Sequence, residues 1–364
     1  MKAVSLKEYT GAQLRQLCHA IGLGDRAEEV CDLVADLLGP AAVRSVDEPP
    51  LWRSDVADDH TPIEYSVAFE EDGSHTLRLL IECVAAKPSP RANQLAALAA
   101  LDRLAARYPV TLDRFDAVRD LFLPDEPRGI FSLWFSIVVR RDDPPRVKIY
   151  FNPEVRGKAK ANTLVAAALD RLGFAGSYAW LREHTPRPES TLDRYSFFAL
   201  DLDDTPRSRV KVYQSHYRAT LRDAQHAAGA GRSVDTRRLA EFGTLIGGGD
   251  GPFDGRPLVS AFTFLSGDSA QPSGYSLYVP VRDYVRDDAV TMQRVRLLVE
   301  RYGLDRDALE RSVTAVTDRP LEEGVGLIAH VSLRIGPPRP GVTVYLSAEA
   351  YGVARPSGAH TGAA

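Results

Sequence analysis

The 364 residues predict an α+β fold: a ten-stranded antiparallel β-barrel with a solvent-filled polar lumen, ringed by about ten helices in five helix-helix-strand-strand repeats. Three observations predict it. The string Arg146-Val147-Lys148-Ile149-Tyr150 returns as Arg209-Val210-Lys211-Val212-Tyr213, and so strict an alternation of polar and apolar residues belongs to a strand with two unlike faces. Each copy follows a turn-rich stretch, 141–145 or 203–206, itself preceded by a β-rich run, which makes each copy the second arm of a hairpin. Weaker hairpins of the same form recur about every 65 residues, as an internal repeat requires.

Taken in order, the first hairpin runs over 62–69 and 76–83, with its turn at Glu71-Asp72-Gly73-Ser74. The second and third end in the two echoing strands. The fourth pairs 258–266 with 274–281, and the fifth pairs 325–335 with 341–347. Helical spacing fills the intervals: Leu14, Leu17, Cys18 and Ile21, then Val30, Val34, Leu37 and Leu38, precede the first hairpin. Leu95, Leu98, Leu101 and Leu104 mark a helix stopped near Pro109, and Leu112, Phe115, Val118 and Phe122 mark the next. Leu164-Ala168-Leu172, Leu239-Phe242-Ile246, Val295-Leu298-Tyr302 and Leu309-Val313-Val316 continue the pattern. Two helices per hairpin is the rule these segments suggest. Loops at 247–251 and 186–188 look flexible, but no shift in composition divides the chain. Residues 1–354 read as one domain, and the Gly, Ala, Ser and Pro tail 355–364 reads as disordered.

In the second arms one face is dry and the other carries Arg78; Lys148 and Tyr150; Arg209, Lys211 and Tyr213; Ser276 and Tyr278; Thr343 and Tyr345. An open sheet with helices on its dry face and water on the other is one arrangement. Ten twisted strands instead tend to close, which removes exposed edges. With helices outside, the polar face then lines the lumen. Arg78, Lys148, Arg209, Lys211 and Arg334 would be enclosed there with too few carboxylates to neutralise them, and enclosed unpaired cations are costly. An anionic ligand is implied. At an effective dielectric near 20, a unit-charge contact at about 4 Å is worth about 4 kcal/mol before desolvation, enough for several cations to hold a diphosphate without metal. The tyrosines beside them would stabilise a cation by about 0.5–2 kcal/mol each, which suits an allylic carbocation.

Bulk properties exclude other classes. A net charge of −4 with mixed signs argues against nucleic acid or an anionic membrane as partner. No apolar run reaches spanning length, Met1 to Ser5 carries no signal core, and the three cysteines Cys18, Cys31 and Cys83 have no metal or redox spacing, so a cytoplasmic protein is expected. The eight histidines show no ligand spacing, and no metal is expected. Asp201-Leu202-Asp203-Asp204 is similar to an acidic magnesium motif but reads as a hairpin turn, and Gly247 to Gly251 lacks the Lys-Ser/Thr of a phosphate loop. There is no Gly-x-Ser-x-Gly elbow.

The Arg-x-Lys-x-Tyr strands, Pro62-Ile63-Glu64-Tyr65-Ser66, Phe151-Asn152-Pro153, the run from Tyr275 to Tyr284 and Val342-Thr343-Val344-Tyr345 together resemble the dimethylallyltryptophan synthase type of aromatic prenyltransferase, in its bacterial indole branch. The resemblance runs from about Asp58 to Tyr351 and implies the prenyltransferase barrel. It also implies roles: Glu64 as the carboxylate accepting the indole N–H; Arg78, Lys148, Arg209, Lys211 and Arg334 as diphosphate ligands; Tyr150, Tyr213, Tyr278 and Tyr345 as a shield. Two departures stand out. Ser276 occupies a position where fungal members often carry Lys or Gln, and Trp134 stands near where they carry a candidate base, so Trp134 is assigned to the acceptor pocket. Glu64 and water remain as candidates for the final base. Arg194 and His330 are expected in satisfied core or rim roles, and Tyr65, Tyr195 and Tyr275 in packing.

The expected activity is metal-independent transfer of a dimethylallyl group from dimethylallyl diphosphate to tryptophan or a related indole, with no cofactor beyond that co-substrate. Prenylation of a phenolic or of an indole-containing peptide is the alternative within the fold. A noncatalytic barrel for an anionic small molecule is the alternative outside it, and it would not need four aromatic rings.

Overall fold

A computed structural model describes residues 3–185, 187, 191–336 and 340–356. Its centre is a closed barrel of ten strands: β1 (Ile63–Glu70), β2 (His75–Ile81), β3 (Leu133–Val139), β4 (Arg146–Phe151), β5 (Asp193–Asp201), β6 (Val210–His216), β7 (Leu258–Phe264), β8 (Gly274–Val279), β9 (Ile328–Ile335) and β10 (Gly341–Ser347). Each strand pairs antiparallel with its sequence neighbours, and β1 closes the ring on β10 with Glu64 opposite Ser347 and Glu70 opposite Gly341. The five predicted hairpins are all present, with boundaries shifted by at most three residues.

Ten α-helices surround the barrel among the described residues, two before each hairpin: α1 (Leu6–Ala20), α2 (Ala27–Leu38), α3 (Pro90–Arg107), α4 (Asp113–Phe122), α5 (Ala161–Arg171), α6 (Ser177–His184), α7 (Leu221–Ala228), α8 (Thr236–Gly247), α9 (Asp288–Arg301) and α10 (Arg306–Thr314). Local chemistry starts them where the sequence supplies a cap. Ser5 and Glu8 form a reciprocal capping box at α1, Ser89 caps α3 with Pro90 behind it, and Asp287 and Asp305 cap α9 and α10. Packing then holds them.

The core lies between barrel wall and helices rather than inside the barrel. Ile63, Tyr65, Val67 and Phe69 of β1 and Leu77, Leu79 and Ile81 of β2 all point outward and are covered by helices. Tyr65 donates to Gln13 Oε1 of α1 at 2.9 Å, and Tyr275 shares a hydrogen bond with Ser260 at 2.6 Å. Both are packing residues, as expected. In the same layer Asp193, His216 and Ser260 line up at 2.7 and 2.8 Å like a hydrolytic triad. They do not form one: all three are buried under the helices, and the serine hydroxyl is already engaged by Tyr275. This chain joins β5, β6 and β7.

With the apolar side turned out, the alternate residues turn in, so the polar face lines the lumen. The barrel has two unlike ends. Hairpin turns rim one; the other carries the chain to and from the helices, and there Val56 packs against Trp134 and Asp58 meets Arg282. Residues 357–364 of the expected disordered tail, and Pro186 and Pro188 of one expected flexible loop, lie outside the described residues.

Candidate active site

Nearest the turn end is a layer of charge. Arg78 projects from β2, Lys148 from β4, Arg209 from the residue before β6, Lys211 from β6 and Arg334 from β9. All five line one cavity with Tyr150, Tyr213, Tyr278 and Tyr345. Arg78 donates to Thr343 Oγ1 at 3.1 Å. Arg209 forms a two-point ion pair with Asp201, at 2.6 and 3.2 Å, and Arg334 pairs with Glu70. Among the described residues five cations thus face two carboxylates. The predicted shortage of carboxylates holds, with a correction: Asp201, assigned to a turn, is the last residue of β5 and points into the lumen opposite Lys148. Asp203 does sit in the turn, where Ser208 bonds to its carbonyl at 2.6 Å.

The imbalance is felt by the lysines. Burial, and then the neighbouring Arg209, holds Lys148 well below its ordinary range; burial, then Lys148 and Arg209, does the same to Lys211. An arriving polyanion would oppose this depression by placing negative charge beside both ammonium groups. The layer opens outward into a mouth of about 720 Å³ lined by Arg140, Arg146 and Asp203 among others.

One dipeptide step along the strands, about 7 Å away, is a layer of aromatic rings. Lys148 precedes Tyr150, Lys211 precedes Tyr213, Ser276 precedes Tyr278 and Thr343 precedes Tyr345. The four rings form a continuous arc with centroid separations of 5.6, 5.9 and 5.8 Å. The two layers are joined: Lys148 Nζ donates to the hydroxyls of Tyr150 and Tyr213, both at 3.0 Å, and lies 4.3 Å from the Tyr150 centroid. Lys211 lies 5.1 Å from that of Tyr213. Burial raises all four phenols above their ordinary range, so they stay neutral and offer ring faces and hydroxyl dipoles rather than anions.

The helix end is different. Glu64, three inward positions along β1 from Glu70, is 7% exposed and has no hydrogen-bond partner among the described residues. Burial pushes its carboxyl up to about 8; Arg282 opposes that rise and Asp58 adds to it. Beside it is an aromatic cluster, reached through Leu80, the register partner of Glu64 on β2. Trp134 stacks on Phe131 at 3.9 Å and leans on Phe197 at 5.9 Å, with Val56 packed against it, and its Nε1 has no partner among the described residues. The cluster offers aromatic ring faces, and a carboxyl without a partner can accept one N–H.

Other expectations are met or sharpened. Arg194 is satisfied by Glu154, with Nε 2.9 Å from the carboxylate. His330 accepts at Nδ1 from Arg282 Nη1, 3.1 Å away, because a guanidinium only donates. Ser276 lines the cavity opposite Arg334 and Ala261. Glu70, Asp58 and Arg282 were not anticipated. Glu70 was within reach, since 64, 66, 68 and 70 share one strand face; Asp58 comes from a loop and Arg282 from a single 3-10 turn (Val281–Tyr284), and neither carries a periodic signal. Among the described residues no group of three or more His, Cys, Asp and Glu could hold a metal ion, and no helix is long and apolar enough to cross a membrane.

Comparison with known proteins agrees with this geometry. Residues 28–314 match the family model described as tryptophan dimethylallyltransferase. The crystal structure of 6-dimethylallyltryptophan synthase from Micromonospora olivasterospora, in complex with DMASPP and tryptophan, superposes with a TM-score of 0.93 at 48% identity, covering 97% of this chain and 100% of that one. 5-Dimethylallyltryptophan synthase from Streptomyces coelicolor gives 0.89 at 36% identity, covering 97% and 100%. Deoxybrevianamide E synthase from Aspergillus versicolor is 30% identical over 200 residues, 47% of this chain, so the chain matches rather less than half of that protein's length, 45%.

Proposed function

The chain belongs to the tryptophan dimethylallyltransferase family, and from that premise we propose that residues 1–354 form one enzyme domain that transfers a dimethylallyl group from dimethylallyl diphosphate to the indole ring of tryptophan or a close analogue. One observation carries the reading: a layer of five cations stands one dipeptide step from an arc of four tyrosines inside a closed lumen. A pure anion site needs only the first.

In this reading Arg78, Lys148, Arg209, Lys211 and Arg334 take the diphosphate. As the allylic C–O bond breaks, the departing oxygens gain negative charge where the cations are already fixed, which favours the transition state over the ground state. The positive charge left on the prenyl group faces Tyr150, Tyr213, Tyr278 and Tyr345, whose ring faces stabilise it and whose packing keeps water off. The indole lies against the Trp134 cluster with its N–H on the Glu64 carboxylate. That bond fixes the ring and raises its electron density as the new C–C bond forms; the ring proton then leaves to Glu64 or water.

The donor set also supports independence from metal, because five cations outnumber the Asp201 and Glu70 carboxylates they face and leave a positive excess for a diphosphate without a bridging ion. Three free cysteines, two of them buried, fit a reducing cytoplasm. The test is to incubate purified protein with L-tryptophan and dimethylallyl diphosphate in excess EDTA. A product heavier by one dimethylallyl group is expected. Loss of product in EDTA, with recovery on adding magnesium, would contradict metal independence. No product with tryptophan or any other indole would contradict the function.

A further inference from the structure

The turn end of the lumen does not finish at the five cations. Its mouth shares Lys148 and Arg209 with the layer inside and adds Arg140, Arg146 and Arg207. Arg146 is the inward position before Lys148 on β4, and it stands opposite Val138, itself opposite Arg78. Arg140 follows Val138 by two positions and so continues the inward face of β3 just past its last residue, Val139. Each lies one dipeptide step, about 7 Å, nearer solvent than the inward residue beside it on its strand. Arg207 is on the exposed turn before β6.

Backbone and side chains are held very differently here. Arg26, the residue before α2, donates through Nη1 to the carbonyls of Arg140, Arg141 and Asp143 at 3.0, 3.2 and 2.7 Å. Its Nε and Nη2 grip Glu29 at 2.9 and 2.8 Å. One guanidinium thus pins the turn between β3 and β4. The arginine side chains on either side of that turn are not pinned. Arg140 reaches Asp143 only at 3.8 Å, and Arg146 reaches Asp143 at 3.4 Å and Asp203 at 3.8 Å. The inner pair of Arg209 and Asp201 closes at 2.6 Å and is far less exposed. Loose, partly exposed pairs contribute little and cost little to break. Formal charge in the mouth is balanced: Glu70, Asp72, Asp143, Asp201 and Asp203 line it with Arg140, Arg146, Lys148, Arg207 and Arg209. A balanced mouth does not trap an anion, while the positive excess behind it draws the anion inward.

We propose that Arg140 and Arg146 form an outer diphosphate station, which takes the donor's diphosphate from solvent and passes it to Lys148 and Arg209, and which takes the released diphosphate on its way out. The inference rests on the reading that the inner layer binds diphosphate. At the station each arginine exchanges Asp143, a single carboxylate shared between the two, for an anion with more charge and more acceptor oxygens. Lys148 and Arg209 line both cavities, so the anion meets the next cation before it leaves the last. Arg26 keeps the turn in register while the side chains change partner.

The test is stopped-flow tryptophan fluorescence of the full chain with inorganic diphosphate and with dimethylallyl thiolodiphosphate, which yields association and dissociation rates, alongside calorimetric dissociation constants. A station lowers the barrier between solvent and lumen in both directions. Arg140→Gln and Arg146→Gln are therefore expected to slow association and dissociation alike, by about 3-fold singly and about 10-fold together, with the dissociation constant held within about twofold. Arg140→Lys and Arg146→Lys keep the charge and should recover part of both rates. A weaker complex reached through faster dissociation would overturn the station, because the arginines would then belong to the bound site. Slower association alone would overturn it too, since long-range steering produces that, and so would unchanged rates in the double variant. Arg209→Gln tests the reading beneath and is expected to bind more weakly through faster dissociation. Equal binding by wild type and Arg209→Gln, or none by wild type, would overturn the diphosphate layer itself and the station with it. Thermal melts check that each variant is folded, which the partial exposure of Arg140 and Arg146 favours.

Discussion

The two ends of the lumen solve opposite problems. At the turn end, Arg209 and Arg334 are tied to Asp201 and Glu70, and Lys148 to two tyrosine hydroxyls, so the basic side chains are held in place before any ligand arrives. At the helix end, Glu64 and the Trp134 indole nitrogen have no hydrogen-bond partner among the described residues. The difference teaches that charge meant for a departing anion is best preorganised, whereas groups meant to orient an incoming neutral ring must be left unpaired.

Substitutions can break this contrast, and the largest effect is expected at the paired end. Arg209→Gln leaves Asp201 buried without its guanidinium, a change that typically costs about 2–5 kcal/mol. Transfer should fall by about 100-fold or more and the thermal midpoint should drop, both visible in a steady-state assay and a melt. Were Arg209→Gln as stable as wild type, the pair would not be part of the scaffold.

Glu64→Gln comes next. Loss of a charged hydrogen bond worth about 1.5–3 kcal/mol predicts a 10- to 100-fold slower transfer. Stability should move the other way. The folded-state value near 8 lies above the unfolded carboxylate value, so the stability linked to the Glu64 proton is fully present in acid and is lost as pH rises through about 8. Glu64→Gln does not suffer that loss. Its melting advantage over wild type should therefore grow between about pH 5 and 8 and level off above.

Smaller effects sharpen the contrast within the aromatic layer. Tyr278→Ala removes one ring face, worth about 0.5–2 kcal/mol, so transfer should fall between about 2- and 30-fold with more prenyl alcohol formed by water. Tyr278→Phe keeps the face and should lose less. Trp134→Phe is expected to change the total rate least and the ratio of positional isomers most, since it reshapes the cluster without touching the charge layer. Product chromatography distinguishes these cases.

Much of the charge layer was legible because period-two alternation survives in β4 and β6, where Lys148-Tyr150 and Lys211-Tyr213 all turned inward as the echo implied. Alternation fails where the backbone does. β5 carries a register shift between Tyr195 and Phe197, so counting inward positions from Arg194 misplaces Asp201. Two helices escaped for reasons of composition. α6 buries only Ser177 and Leu181, and α7 buries alanines alongside Leu221, so neither shows a bulky apolar stripe. The capping box Thr220 to Asp223 at α7 was the signal available. Asp58 and Arg282 meet only because barrel closure brings a loop and a 3-10 turn together across 224 positions of chain. No local pattern encodes that meeting.

The most direct test of the divided lumen is calorimetric titration of wild type and Glu64→Gln with dimethylallyl thiolodiphosphate, an unreactive stand-in for the donor. If the turn end alone holds the donor and Glu64 serves only the acceptor, the two dissociation constants should agree within about twofold, even though transfer by Glu64→Gln has fallen 10-fold or more. A comparable loss of donor affinity in Glu64→Gln would contradict the division, because it would make Glu64 part of the site that binds the diphosphate.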